Sequence, residues 1–247
     1  MNRIVVLGHG GVKGPEMNTI QAFRRALAEG AHGFEVDVHD TSDGKLAALH
    51  DGTFRANGKE YRVSELTLEQ LRRLHPRGEN IPSLGELLAQ FSGVLVDVDA
   101  KTPRAARIAA SLISREAHVD MAMISGDSYA VLREARRAEP RIRLGYSITS
   151  LRNLAALPAV AAALKLYSVQ APLDGIEVLG PRPYRVLLRA VRSRRLRIAV
   201  WSWKADEIVL LPVIEGLYDI VIADKPAEVL SLYRGRREAI SSAAAWP

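Results

Sequence analysis

In the stretch Gly33-Phe34-Glu35-Val36-Asp37-Val38, two carboxylates are separated by one apolar residue. Successive side chains of an extended strand point to opposite sides, so Glu35 and Asp37 share one face while Phe34, Val36 and Val38 share the other. Leu95-Val96-Asp97-Val98-Asp99-Ala100-Lys101 repeats the pattern and sets Asp97, Asp99 and Lys101 on one face. Unpaired carboxylates are costly to bury, and a bound cation removes that cost. Ligation by oxygen alone favours a hard divalent ion, Mg2+ or Ca2+, over zinc or copper. The competing reading is an internal salt-bridge network tied by Lys101 and His39. Two histidines complete the chemistry: His9, followed by Gly10-Gly11, and His50 in Leu49-His50-Asp51. Taken singly, each reads as a hydrogen-bonded structural residue. At strand ends beside the carboxylates they become a candidate general acid and base, because imidazole titrates near neutral pH. His32, His75 and His118 fall in loops or helices and carry no such case.

The elements that must hold these groups follow from periodicity. Short runs rich in Val and Ile recur near residues 4–9, 33–39, 94–100, 121–125, 142–147, 167–171, 197–203 and 219–223, each followed by a segment of helical period. Such alternation marks parallel βαβ units, and eight of them at this spacing predict a (β/α)8 barrel. In a barrel the apolar face of each strand packs on helices, which turns Glu35, Asp37, Asp97 and Asp99 inward, toward the carboxyl-terminal end where barrel active sites form. An insertion of roughly residues 42–85 follows the second strand, with an extra strand at Lys45–His50, a short helix at Leu66–Leu71 and a return through Ile81-Pro82-Ser83-Leu84 into another helix. Asn18, with Gln21 three residues on, reads as the cap of the first helix, whose buried stripe is Ile20, Phe23 and Leu27. Pro103, Pro181 and Pro226 fit near helix starts. The 247 residues read as a single domain, 1–247, with no linker.

Composition excludes several chemistries. The absence of cysteine removes disulfides, thiolate nucleophiles and iron-sulfur clusters. The first apolar run is too short for a signal peptide or a membrane span, so a cytoplasmic location is the default expectation. Lys and Arg outnumber Asp and Glu by 34 to 28. Arginines 182, 185, 189 and 192 fall at helical spacing, followed by Arg194, Arg195 and Arg197, with Arg234, Arg236 and Arg237 further on. A solvated helix face is the preferred reading; weak contact with an anionic membrane surface is the alternative, and the absence of base-reading motifs argues against a specific nucleic-acid partner.

The ordered set of motifs resembles the glycerophosphodiester phosphodiesterase family along nearly the whole chain. That family shows His-Arg-Gly, a Pro-Glu-Asn-Thr helix entry, Gly-Ala, a Glu-x-Asp strand, a Thr-x-Asp-Gly turn and a His-Asp pair. The matching stretches are His9-Gly10-Gly11, Pro15-Glu16-Met17-Asn18-Thr19, Gly30-Ala31, Glu35-Val36-Asp37, Thr41-Ser42-Asp43-Gly44 and His50-Asp51. Further along, Glu65 to Leu71 and Ile81 to Leu84 look like the family's insertion and its exit; Asp99-Ala100-Lys101 is similar to its Glu-x-Lys strand, Trp201-Ser202-Trp203-Lys204 to its Trp-Thr-Val-Asn, and Ala223-Asp224-Lys225-Pro226 to its Thr-Asp-x-Pro.

The resemblance implies metal ligation by Glu35, Asp37 and Asp99, an acid-base pair of His9 and His50, Lys101 near the phosphate, and hydrolysis of a small-molecule glycerophosphodiester to glycerol phosphate and an alcohol. It also leaves open a catalytically silent phosphate-binding barrel or a lyase of the related phospholipase type. The chain departs from the family where Gly10 replaces an arginine, where Asp99 replaces a glutamate and where Met17 breaks the helix entry. Lys13, in the same short loop, is a candidate substitute for the missing cation. Asp97 either adds reach to the metal site or forms a deeper salt bridge. Trp201 either lines a substrate pocket, with Trp203 on the same face, or packs as core. Asp224 either orients a neighbouring group or caps the helix that begins at Pro226.

Overall fold

Each of the eight apolar runs forms a strand, and the strands close on themselves. The computed structural model describes residues 4–233 and 245–247. Among these, the strands are β1 (Val5–His9), β2 (Gly33–Asp40), β3 (Leu46–Ala48), β4 (Thr53–Ala56), β5 (Lys59–Arg62), β6 (Leu95–Ala100), β7 (Ala122–Gly126), β8 (Arg143–Ser147), β9 (Ser168–Pro172), β10 (Arg197–Trp201) and β11 (Ile220–Ala223). Parallel pairing runs β1-β11-β10-β9-β8-β7-β6-β2, and β1 also pairs with β2, which closes an eight-stranded parallel barrel. Helices lie between successive barrel strands, as a (β/α)8 fold requires.

The two faces of each strand separate as alternation predicts. Phe34, Val36, Val38, Val96 and Val98 belong to the large outer core shared with helix residues such as Phe23, Ala105, Ala109 and Leu132. There Phe23 stacks on Phe34, with ring centroids 4.2 Å apart, and Phe91 meets both edge to face. Inside the barrel, Val5, Leu7, Leu95, Ala199, Ile220 and Ile222 fill the lower layers. Polar side chains stand above them on the same strands: His9 above Leu7, and Asp97 and Asp99 above Leu95. Register then brings the chemistry together, because His9 lies opposite Glu35, Glu35 opposite Asp97, and Asp37 opposite Asp99.

Several local expectations are corrected. Helix α1 (Ile20–Ala28) is capped by Thr19, whose hydroxyl accepts from the Ala22 amide at 3.2 Å, and not by Asn18. Asn18 sits at φ 62 with its side chain turned to β2. Phe23 is fully buried in α1 with Ala22 and Ala26, whereas Ile20 and Leu27 are only partly buried. Strand β10 ends at Trp201, which leaves Trp203 in the following loop.

The insertion carries its own small core of Ala47, Leu49, Val63, Leu68, Leu71 and Ile81. Strand β3 pairs antiparallel with β2, and helices α2 (Leu68–Leu74) and α3 (Leu84–Gln90) each begin with a reciprocal capping box, Thr67 with Gln70 and Ser83 with Glu86. An unanticipated hairpin, β4–β5, turns through Asn57 and Gly58 at φ 49 and 72, the positive values that a two-residue hairpin turn needs.

Pro103, Pro181 and Pro226 stand in the first turns of their helices. On the arginine-rich helix Pro181–Arg192, Arg182 and Arg189 are exposed, while Arg185 donates to the Val213 carbonyl and Arg192 pairs with Asp219 at 2.8 Å. Arg234, Arg236 and Arg237 lie outside the described residues. Among the described residues, no helix is long and apolar enough to cross a membrane.

Candidate active site

The carboxyl-terminal ends of the strands surround a cavity of 490 Å3 whose wall includes His9, Glu35, Asp37, His50, Asp99 and Lys101. Among the described residues, Glu35, Asp37 and Asp99 offer oxygen atoms that all lie within 4.8 Å of one another. Glu35 and Asp37 are buried, at 4% and 2% exposure. Glu35 Oε2 accepts from the Gly10 amide at 3.1 Å, and Asp37 Oδ2 accepts from Asn18 Nδ2 at 2.9 Å. Lys101 Nζ bridges Asp37 Oδ1 at 2.5 Å and Asp99 Oδ2 at 2.6 Å. Burial and the neighbouring Asp37 charge push the Glu35 carboxyl well above its usual range. Burial acts on Asp37 in the same direction, but the charge and hydrogen bond of Lys101 outweigh it and hold Asp37 low. The triplet offers carboxylate oxygens alone, and Lys101 bridges only two of its three members. The donor set therefore fits a hard divalent cation.

His9 is oriented from behind. Its Nδ1 donates to Asp224 Oδ1 at 2.8 Å, and Lys13 Nζ holds the other oxygen of Asp224 at 2.5 Å. Burial disfavours the imidazolium, yet the Asp224 hydrogen bond and the charges of Glu35, Asp224 and Asp37 outweigh it and raise the His9 pKa to about 9. Glu207 fixes the end of β11 by accepting from the Asp224 and Lys225 amides at 3.0 and 2.8 Å. The helix Pro226–Ser231 starts after Lys225 with no side-chain cap, so the capping reading of Asp224 falls, and its bond to His9 makes it an orienting group. His50 projects from the insertion with its side chain 72% exposed and its Nδ1 2.8 Å from Asp51 Oδ1. Beneath it, His39 Nε2 donates to the His50 carbonyl at 3.1 Å, so His39 supports the loop and takes no part in the carboxylate cluster.

Asp97 lies deeper, fully buried, and accepts from Ser125 Oγ at 2.8 Å and from Gln170 Nε2 at 2.5 Å. Burial raises its pKa to about 7. It forms neither a salt bridge nor a corner of the carboxylate triplet among the described residues. Trp201 and Trp203 meet edge to face, 4.7 Å between centroids, at the cavity wall. Trp201 thus lines the cavity and also packs on the inner core. Several cavity residues carry no sequence signal, among them Asp127, Thr149, Gln170 and Arg77; Arg77, from the turn after α2, reaches across to donate from Nη2 to the Met17 carbonyl at 2.7 Å. Nothing in its local sequence marks Arg77, because its neighbour in space is 60 positions away.

A sequence model of the glycerophosphoryl diester phosphodiesterase family matches residues 9–228. The chain belongs to that family. A glycerophosphodiester phosphodiesterase of Caldanaerobacter subterraneus subsp. tengcongensis is 30% identical over 252 residues, covering 95% of this chain and 99% of its own. Two crystal structures share the fold: a glycerophosphodiester phosphodiesterase from Thermotoga maritima, with TM-score 0.75 and 23% identity over 94% of this chain and 99% of the other, and a protein from Silicibacter pomeroyi DSS-3 described as a glycerophosphoryl diester phosphodiesterase, with TM-score 0.79 and 19% identity over 96% and 95%. The phosphodiesterase family's arginine after the first histidine is here Gly10, where a side chain would press on Met17 and have to adopt a left-handed backbone. A Cβ at Gly10 would stand 3.0 Å from Met17 Cε, and the residue's φ of 53 disfavours a side chain.

Proposed function

We propose that this chain hydrolyses glycerophosphodiesters to glycerol phosphate and an alcohol, with one divalent cation, Mg2+ or Ca2+, held by Glu35, Asp37 and Asp99, and with His9 and His50 as acid and base. The observation that carries the reading is the carboxylate triplet lying beside both histidines in one cavity of a member of this family. The bound cation would supply positive charge to the phosphoryl oxygens as charge builds on them.

The protein's own groups account for the proton movements. His50, at the open edge, takes a proton from the attacking water as the water oxygen bonds to phosphorus. His9, kept cationic by Asp224, gives its proton to the leaving alkoxide as the phosphorus–oxygen bond breaks. Asn18 and Lys101 fix the Asp37 carboxylate, and the Gly10 amide fixes Glu35. Trp201 and Trp203 offer apolar surface to the alcohol side of the substrate.

The test is turnover of a panel of glycerophosphodiesters by purified protein with Mg2+, Ca2+ or Mn2+, and after chelation. Metal-dependent release of glycerol phosphate supports the reading. A cyclic phosphate product would favour the lyase chemistry, and no turnover with any metal would reduce the chain to a phosphate-binding barrel.

A further inference from the structure

We propose that Arg77, delivered by the insertion, is the cation that grips the phosphate of the substrate. The proposal rests on the reading of the cavity as a phosphodiester site and names the group that recognises the anion there.

The charges around the cavity single it out. Lys101 is spent between Asp37 and Asp99, and Lys13 is spent on Asp224. Arg77 faces the same cavity, yet among the described residues it forms no ion pair, and its side chain makes one hydrogen bond, to the Met17 carbonyl. A guanidinium carries five donors in a planar fork that matches the oxygens of a phosphate, so most of its capacity remains for a ligand. Burial lowers its pKa and no carboxylate acts in the opposite direction, which is the environment of a cation whose counter-charge arrives from outside.

The position is built rather than incidental. The Arg77 amide donates to His75 Nδ1 at 3.0 Å, the Gly78 amide donates to the His75 carbonyl at 2.8 Å, and Gly78 takes the positive φ of 49 that closes this turn. The His75 ring is braced in turn by Phe54, 4.7 Å between centroids. At its far end the guanidinium is moored to Met17, which packs over Gly10 and directly precedes Asn18, the residue that orients Asp37. Phosphate bound between the carboxylate-held cation and Arg77 would be gripped from two sides.

The experiment measures inorganic phosphate binding by calorimetry in the presence of Mg2+, together with KM and kcat for a glycerophosphodiester. It compares wild type with Arg77→Ala, Arg77→Lys and Lys13→Ala. Loss of a charge-assisted hydrogen bond corresponds to a weakening of about 10-fold to 100-fold. Arg77→Ala should weaken phosphate by that factor and raise KM more than it lowers kcat, with Arg77→Lys recovering part of the loss and Lys13→Ala weakening phosphate less. Mg2+ affinity and the thermal midpoint of Arg77→Ala should stay near wild type. Unchanged phosphate affinity in folded Arg77→Ala overturns the proposal even if wild type is an active diesterase. Weakened phosphate binding in Arg77→Ala, with a wild type that cleaves no diester, supports the anion site and overturns the hydrolytic reading instead.

Discussion

His9 at the end of β1 donates to Asp224, one residue past β11, across 2.8 Å, although 215 positions separate the two in sequence. Parallel pairing of β1 with β11 makes them neighbours, with Gly8 opposite Ala223. The bond fixes the imidazole and supplies much of the force that raises its pKa to about 9 from 6.5. A histidine whose folded pKa is raised stabilises the fold fully below 6.5 and loses that contribution as the pH climbs through about 9. In metal-free protein, Asp224→Asn should therefore be less stable than wild type at pH 6, and the gap should narrow toward pH 10. Thermal midpoints across that range check this, and NMR titration of His9 should give a lower pKa in the variant. Parallel melting curves at every pH would contradict it.

His9→Ala and His50→Ala should each lower kcat by about 100-fold or more, the usual consequence of losing a positioned acid or base. The double variant should be little worse than the poorer single one, because groups acting on one proton path are not additive. Steady-state kinetics at saturating divalent ion decide the matter. A near-normal rate in either single variant removes that histidine from the mechanism.

Asp97 gives a prediction of the opposite sign. Burial raises its pKa from 3.8 to about 7, so between those values the folded protein holds a proton that the unfolded chain releases. Stability consequently falls as pH rises from 3.8 to about 7, and the full cost is carried above 7. Asp97→Asn keeps the shape and removes the charge, and the Gln170 amide can turn to satisfy it. The variant should gain on wild type by about 1 kcal/mol or more at pH 8, with the advantage shrinking toward pH 4. Urea unfolding of chelated protein at the two pH values measures it, and a pH-independent difference would refute the assignment.

The barrel was legible because strand alternation and helical period are local signals, and the same alternation set Glu35 beside Asp37 and Asp99 beside Lys101. Asn57-Gly58 is an equally local hairpin signal, but the flanking Thr53–Ala56 and Lys59–Arg62 strands are short and largely polar, so alternation does not mark them. Other relationships exist only once the chain is folded. Asn18 looks like a helix cap in sequence, but Thr19 also offers a hydroxyl for that role, which frees the Asn18 amide for Asp37. Arg77 meets Met17 only because the insertion folds back over the mouth of β1, and Lys13 meets Asp224 only through barrel closure.

The carboxylate triplet and Lys101 compete for one balance of charge, and two substitutions should move that balance in opposite directions. Lys101→Met retains most of the side chain and removes the cation that bridges Asp37 and Asp99. Stranding a fully buried partner costs about 3–5 kcal/mol; Asp37 is 3% exposed while Lys101 and Asp99 are each 23% exposed, so the expected loss is about 2–4 kcal/mol in chelator. A divalent ion would restore the missing charge, so Mg2+ or Ca2+ should raise the thermal midpoint of Lys101→Met more than that of wild type. Glu35→Gln keeps the side-chain shape and deletes the carboxyl that burial holds above its usual range, so it should cost no stability in chelator. The same change removes an oxygen charge from the candidate site. Its midpoint should respond little to either ion, and its turnover should fall by about 100-fold or more, as for loss of a group that acts in the transition state. Differential scanning fluorimetry of the three proteins with chelator, Mg2+ and Ca2+ gives the comparison. An equal ion-induced shift in all three would mean that the ion binds elsewhere, and Glu35, Asp37 and Asp99 would then be a salt-bridge network closed by Lys101.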